Sequence, residues 1–327
     1  MSLHRTTDIA AKQILDSTRV YKEYVRVRDE SDRLKGSLFW KKVGPYEYLA
    51  QKLHGKVTYG GTRTSDTERE YGDFKQKKAQ LRQRARKLKD SVLSCQRLNK
   101  AVRAGTVPSA VMDALHLLEK SGLSEGSVVL GTPALFAYGL PAGVNLEKVS
   151  APAQASVVED AKHYLHVLVH ASQSAVTTAL PELRSVADVR VETSPKGGSS
   201  ERKFHVLEFK FGRKHEDSTY SAKDAHWSTV ATQMAAEVQW AGKFEQVVIG
   251  KTGTMAIMRT LDPRFFAMIS HAAVDAHPKT MQDPVLVQRQ AEVVDSLITD
   301  HLVVSQLQES ECRRRVSDIA QRVFTRA

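Results

Sequence analysis

Cysteine is almost missing: Cys95 and Cys312 are the only two in 327 residues. Both stand in polar, helix-like surroundings without metal-ligand spacing, which excludes a disulfide framework and a cysteine-built zinc site. A reducing compartment and a cytoplasmic location are therefore expected. Long apolar runs are missing too. None approaches the length that crosses a bilayer, and the N-terminal residues contain no signal-peptide core. No internal repeat or low-complexity tract occurs. Acid is scarce in one place. Between Lys75 and Arg103 the cations Lys75, Lys77, Lys78, Arg82, Arg84, Arg86, Lys87, Lys89, Arg97, Lys100 and Arg103 are opposed by Asp90 alone.

That stretch carries a net +10 of the chain's +11. Clustering of this kind is an electrostatic footprint for a polyanion, and nucleic acid is the expected partner of a basic helix here. The ordinary alternative is a solvated helix face. The remaining composition, 41% hydrophobic and 26% charged, is that of a soluble globular protein, and the length suffices for two domains or one large domain with appendages.

In chain order, residues 6–28 read as a helix with an apolar stripe at Ile14, Val20, Tyr21, Tyr24 and Val25. Short aromatic and apolar runs broken at Gly44-Pro45, His54-Gly55 and Gly60-Gly61 predict a small three-stranded antiparallel sheet. Ser65 with Glu68 reads as a capping box that starts a long basic helix ending near Gly105. Ser109 caps a short helix closed by Gly122.

Val128-Val129-Leu130 then predicts a strand. It breaks on Gly131-Thr132, a helix-like segment 133–140 follows, and a second apolar run lies at Val157-Val158. Strand, glycine turn, helix, strand is a layout that points backbone N–H groups at a phosphate; an ordinary strand-to-helix turn has the same spacing.

The segment HYLHVLVHASQSAVTTALPEL follows without a clear assignment. Residues 186–193 and 203–211 predict a hairpin joined by PKGGSSE, and 223–240 a helix. Runs at 246–249 and 254–258 read as buried strands, and helices follow at 265–276, 284–301 and 306–326.

Five segments in order carry a resemblance: LFWKKVGPYEYLAQKL, GGTRTSDTEREYGDFKQKK, VLGTPALFAYGLPAGV, MRTLDPRFFA and QRQAEVVDSL. The chain resembles the bacterial nucleotidyltransferase-like proteins of the polymerase-β and minimal-nucleotidyltransferase superfamily. The resemblance implies an α+β fold. Its parts are an N-terminal arm of helix, small sheet and long basic helix (1–105), a mixed-sheet core (106–262) and a C-terminal helical region (263–327). It also implies a triphosphate on the glycine turn, paired aspartates on the next strand and a third carboxylate beside them. Those carboxylates hold two divalent ions, Mg or Mn, which clamp the attacking and leaving oxygens of the transferred phosphate.

Placed on this sequence, the nucleotide-binding residues become Gly131, Thr132, Gln154 and Ser156, with Gln154 and Ser156 where the aspartates belong. Glu208 takes the third acidic position as catalytic and metal-binding residue. Ile269-Ser270 replace an expected His-Lys. The metal site therefore reads as degenerate. The expected function is nucleoside-monophosphate transfer from NTP to a nucleic-acid or protein acceptor; the first alternative is an inactive nucleic-acid-binding pseudoenzyme.

Other residues carry separate expectations. Glu208 and Lys210 share one strand face opposite Asp188 and Glu192, the layout of a metal-dependent nuclease hairpin and equally of a solvent-facing hairpin. Asp160 is expected to cap or pair locally. His163, His166 and His170 fall at helical intervals and read as a polar helix face or a transition-metal set. Trp40, Tyr46 and Tyr48, beside the basic helix, could stack nucleic-acid bases or form the small sheet's own core.

Overall fold

The computed structural model describes residues 3–34, 36–53, 55–149, 156–194, 202–211, 227, 230–232, 235–241, 243–276, 283–300, 302 and 309–321. Gln154 and the turn at 195–201 lie outside them. The contact pattern divides the chain into two compact units: residues 15–98, and residues 1–14 together with 99–327. The C-terminal helices thus belong to the same unit as the sheet.

The unit at 15–98 holds most of helix α1 (Asp8–Arg33), strands β1 (Ser37–Val43), β2 (Tyr46–Leu53) and β3 (Lys56–Thr62), and most of helix α2 (Ser65–Ala101). The three strands form the expected antiparallel meander, with β2 central. At 37 residues, α2 is about 55 Å long. Leu81 and Cys95 of α2 are buried, and ion pairs Glu23–Arg84 and Glu30–Lys77 join it to α1. Helix α2 starts at Ser65 as expected, but the cap lies one residue before the expected capping box. Thr64 and Thr67 cap each other, Thr64 N–H donating to Thr67 Oγ1 at 2.8 Å and Thr67 N–H to Thr64 Oγ1 at 3.4 Å. Glu68 is drawn away from the cap by the Arg63 guanidinium, 2.7 Å distant.

The larger unit is built on β4 (Ser127–Leu130), β5 (Tyr164–Ala171), β6 (Asp188–Thr193), β7 (Lys203–Lys210), β8 (Lys243–Ile249) and β9 (Met255–Leu261). They form one sheet in the order β6-β7-β5-β4-β9-β8. The β4–β9 pair is parallel and every other pair antiparallel. The central strands are apolar on both faces because both are covered.

The helices of this unit are α3 (Ser109–Lys120), α4 (Leu135–Gly139), α5 (Gln173–Leu183), α6 (Ala235–Trp240), α7 (Pro263–Ala276), α8 (Pro284–Asp300) and α9 (Glu309–Ile319). The Phe266 ring of α7 stacks on Trp227 at 5.1 Å and meets the edge of Tyr138 at 5.6 Å. The Tyr138 hydroxyl is satisfied inside this core by Thr260 Oγ1 at 2.5 Å and donates to the Leu261 carbonyl at 3.0 Å.

Two sequence expectations change here. Val157-Val158 is not a strand: it leads into a 3₁₀ turn at Glu159–Lys162. The strand after the glycine turn is β5, inside the stretch that sequence patterning left unassigned. His166 and His170 consequently alternate on a strand instead of lining a helix, and His163 precedes it. A strand buried on both faces has no solvent side, so its alternation is a weak signal.

Candidate functional site: a glycine-turn corner and a basic arm

β4 ends on Leu130, and the chain turns at Gly131 with φ 71° and ψ −156°, a backbone state that strains any residue with a Cβ. Thr132 then opens a 3₁₀ turn that runs into α4. Both residues are buried. The Thr132 hydroxyl accepts from Gln290 Nε2 of α8 at 3.0 Å, and the same amide nitrogen donates to the Val157 carbonyl at 2.9 Å. Gln290 thus fastens the corner to the loop before β5. Ser156 lies in that loop, its hydroxyl donating to the Leu146 carbonyl at 3.2 Å and accepting from Val158 N–H at 3.4 Å.

Register aligns a row across four strands behind this turn: Leu130 on β4, His166 on β5, Glu208 on β7 and Arg190 on β6. Directly paired residues project to one face, so His166, Glu208 and Arg190 share it. Tyr164 and Lys210 are the next pair along the same face, with Asp188 beyond Lys210. Glu208 and Lys210 stand together, backed by buried Leu207 and Phe209, as strand alternation requires.

The Glu208 carboxylate is 3.8 Å from His166 Nε2, longer than a hydrogen bond. His166 is fully buried, and neither ring nitrogen has a hydrogen-bond partner among the described residues. The His166 imidazole, with Arg190 and Lys210, holds the Glu208 carboxyl below its ordinary value against the opposing effect of burial.

This depression fixes a sign. A carboxyl with a lowered folded-state pKa contributes stability that is present above its unfolded value, 4.5, and is lost as pH falls through the folded one. Thermal melts of Glu208→Gln should therefore lose less stability below pH 4.5 than those of the parent chain. Parallel acid limbs would show that the row does not hold the charge.

Mg or Mn needs several oxygen ligands. Glu208 faces an imidazole and two cations, and Asp188 and Glu192, on the same sheet face, stand opposite Lys210 and Val206 and not opposite Glu208, an arrangement that does not fit such an ion. Among the described residues, no group of three or more His, Cys, Asp and Glu side chains could hold a metal. For the nuclease layout, Asp188 and Glu192 do share the face of Glu208 and Lys210, but Arg190 occupies the position directly opposite Glu208. Asp160 is buried in the turn at Glu159–Lys162, where its carbonyl accepts from His163 N–H at 2.9 Å. Ile269 and Ser270 are core residues of α7.

Sequence reasoning missed Tyr164, Arg190 and Gln290, and took His166 as one of a helical histidine set and not as the strand partner of Glu208. The alternation of His166 and His170 with valine and leucine was the available signal for Tyr164 and His166; Gln290 left none.

Cations of the basic stretch line α2. Lys75, Lys77, Arg82, Arg84, Arg86, Lys87 and Lys89 are exposed, whereas the half-buried Lys78 ammonium donates to the Gly36 carbonyl. Acids of α1 neutralise Arg84 and Lys77. Unit 15–98 contains 21 lysines and arginines against 11 acids, so it holds +10 of the +11.

A sheet with a glycine turn at the end of β4, and Glu208 in the row behind it, is consistent with a nucleotidyltransferase-like fold. A family profile described as nucleotidyltransferase matches residues 109–312, more than half of the chain, and the chain belongs to that family. The match begins at α3, after the basic arm. No curated protein and no solved structure matched the chain. Among the described residues, no helix is long and apolar enough to cross a membrane.

Proposed function

We propose that this chain is a nucleotidyltransferase-fold protein whose catalytic corner is degenerate and whose working activity is nucleic-acid binding through the basic arm. The carrying observation is the row behind the glycine turn. Glu208 is the one carboxylate in it, and its cross-strand neighbours are His166 and Arg190. Metal-assisted transfer gathers acids so that their negative charge holds divalent ions at the reacting phosphate. Here the cross-strand partner of Glu208 on β6 is the cation Arg190 and not a second acid. The fold supplies a scaffold and the site supplies the function; the charge of the molecule lies in the unit at 15–98. Lys75, Lys77, Lys78, Arg82, Arg84, Arg86, Lys87 and Lys89 are the phosphate-contacting residues of this reading.

A labelled-NTP assay with Mg or Mn, using oligonucleotide and protein acceptors, tests it. The expected result is no transfer of label, with Glu208→Ala indistinguishable from the parent. Transfer that Glu208→Ala abolishes would establish the second reading instead.

That second reading is residual nucleoside-monophosphate transfer, and the Gly131 backbone favours it. The positive-φ turn at a strand end is the geometry that lets a phosphate approach. In this reading Gly131 and Thr132 cradle the triphosphate, with Gln154 and Ser156 beside it. Gln290 has to release Thr132, and Glu208 carries whatever metal binds. The nucleic acid held by the arm is then the acceptor.

A further inference from the structure

The small sheet of the arm has two unlike faces. On one, the Trp40 ring lies 5.7 Å from Tyr71 of α2 and 5.1 Å from the Arg63 guanidinium above it, and Leu49 beside it is buried. This is the packed face. Alternation and register put other residues on the opposite face. Phe39, Ala50 and Tyr59 form one cross-strand row; Lys41 and Tyr48 lie in the next, Val43 and Tyr46 in the one beyond; Lys52 flanks the set.

Apolar surface on this second face is open. Tyr59 is 51% exposed, Tyr46 60% and Val43 50%. Lys41 donates to the Tyr59 hydroxyl, its ammonium 4.9 Å from the ring centre. Core-forming aromatics would be covered, and these are not.

The geometry points to this face as a stacking platform for single-stranded nucleic acid. Tyr46 and Tyr59 receive bases, with the half-buried Phe39 and Tyr48 between them, and Lys41 and Lys52 neutralise the phosphates. The choice of occupant follows from charge: the unit carries +10, which suits a polyanion and opposes a basic partner. Single strands follow from the rings, because a base stacks on a side chain only when it is free of its own duplex stack.

This inference rests on the polyanion reading of the arm and adds to it the strandedness of the ligand and the residues that meet its bases. It does not require the nucleotide corner to be active.

Fluorescence anisotropy on the full chain tests it, with labelled oligo(dT) and oligo(rU) of about 20 nucleotides, a duplex of equal length, and a salt titration. Tyr59→Ala is expected to weaken single-strand binding about tenfold, the order of one lost base–aromatic stack. Tyr59→Phe should bind like the parent, and duplex binding should not respond to either. Tyr46→Ala, at a more exposed position on the same face, repeats the test without touching the core.

Binding that is intact but indifferent to both alanine variants overturns the platform while leaving the basic helix as the interface. Equal losses on single strand and duplex also overturn it. Absence of binding to every oligonucleotide removes the platform and the polyanion reading together. If Tyr59→Ala instead abolishes self-association of a chain that binds no oligonucleotide, the face is a contact between copies.

Discussion

Charge reversal at Arg82, Arg86 and Lys89 is expected to lower affinity for a single-stranded oligonucleotide by on the order of a hundredfold at about 0.1 M salt. The three residues sit at i, i+4 and i+7 of α2 and so form one exposed stripe. Each neutralised phosphate releases condensed counterions, and a glutamate in place of each cation both forfeits that release and repels the backbone. The slope of log affinity against log salt should fall by about one for each contact removed, whatever the base sequence.

Arg84 and Lys77 are poorer choices for this test. Reversing them would set a carboxylate against Glu23 or Glu30 of α1, and an effect on helix pairing would be mistaken for one on binding. The stripe residues have no acid within ion-pair distance among the described residues, so the helix should survive the change. Unchanged affinity and an unchanged salt slope would remove α2 from the interface.

Truncating Phe266 to alanine is the second large effect, this time on stability. The ring is fully buried in α7, stacked on Trp227 and edge-on to Tyr138, so its loss leaves a cavity walled by two other rigid rings that cannot collapse into it. The expected cost is about 3–5 kcal/mol, a large share of the 5–15 kcal/mol or so typical of folded domains. Denaturant unfolding should show a lower midpoint with an unchanged slope, followed by the fluorescence of Trp227. A loss under about 1 kcal/mol would mean that the aromatic cluster is not a packed part of the core.

Both effects lie on links of the chain that differ in how far they can be read from sequence. The arm was legible because each of its signals is local. Glycine-punctuated runs gave the meander, and a deficit of acid marked α2. Its helix start at Ser65 was legible too; only the cap differs, at Thr64, with Glu68 paired to Arg63 instead. β6 and β7 were legible as a hairpin for the same reason, being neighbours in the chain with clear alternation.

β5 was not. Seven of its eight residues are buried, so no solvent face marked the strand, and three histidines at helical intervals imitated a polar helix stripe. The glycine-turn corner was half legible. Gly131-Thr132 announced a turn after a strand, and the structure puts it at the end of β4. The partners of Glu208 depend on pairing between β5, β6 and β7, and a one-residue change of register would turn each of these side chains to the other face.

By itself, then, the sequence determined the elements whose causes are short-range: the basic helix, the small sheet, the glycine turn and the segregation of charge into residues 15–98. Tertiary structure alone decided which groups meet. It set His166 and Arg190 beside Glu208 and brought Gln290 across 158 positions to hold Thr132. Cross-strand register and helix docking are fixed by burying the whole apolar surface at once, and no local window of residues carries that information.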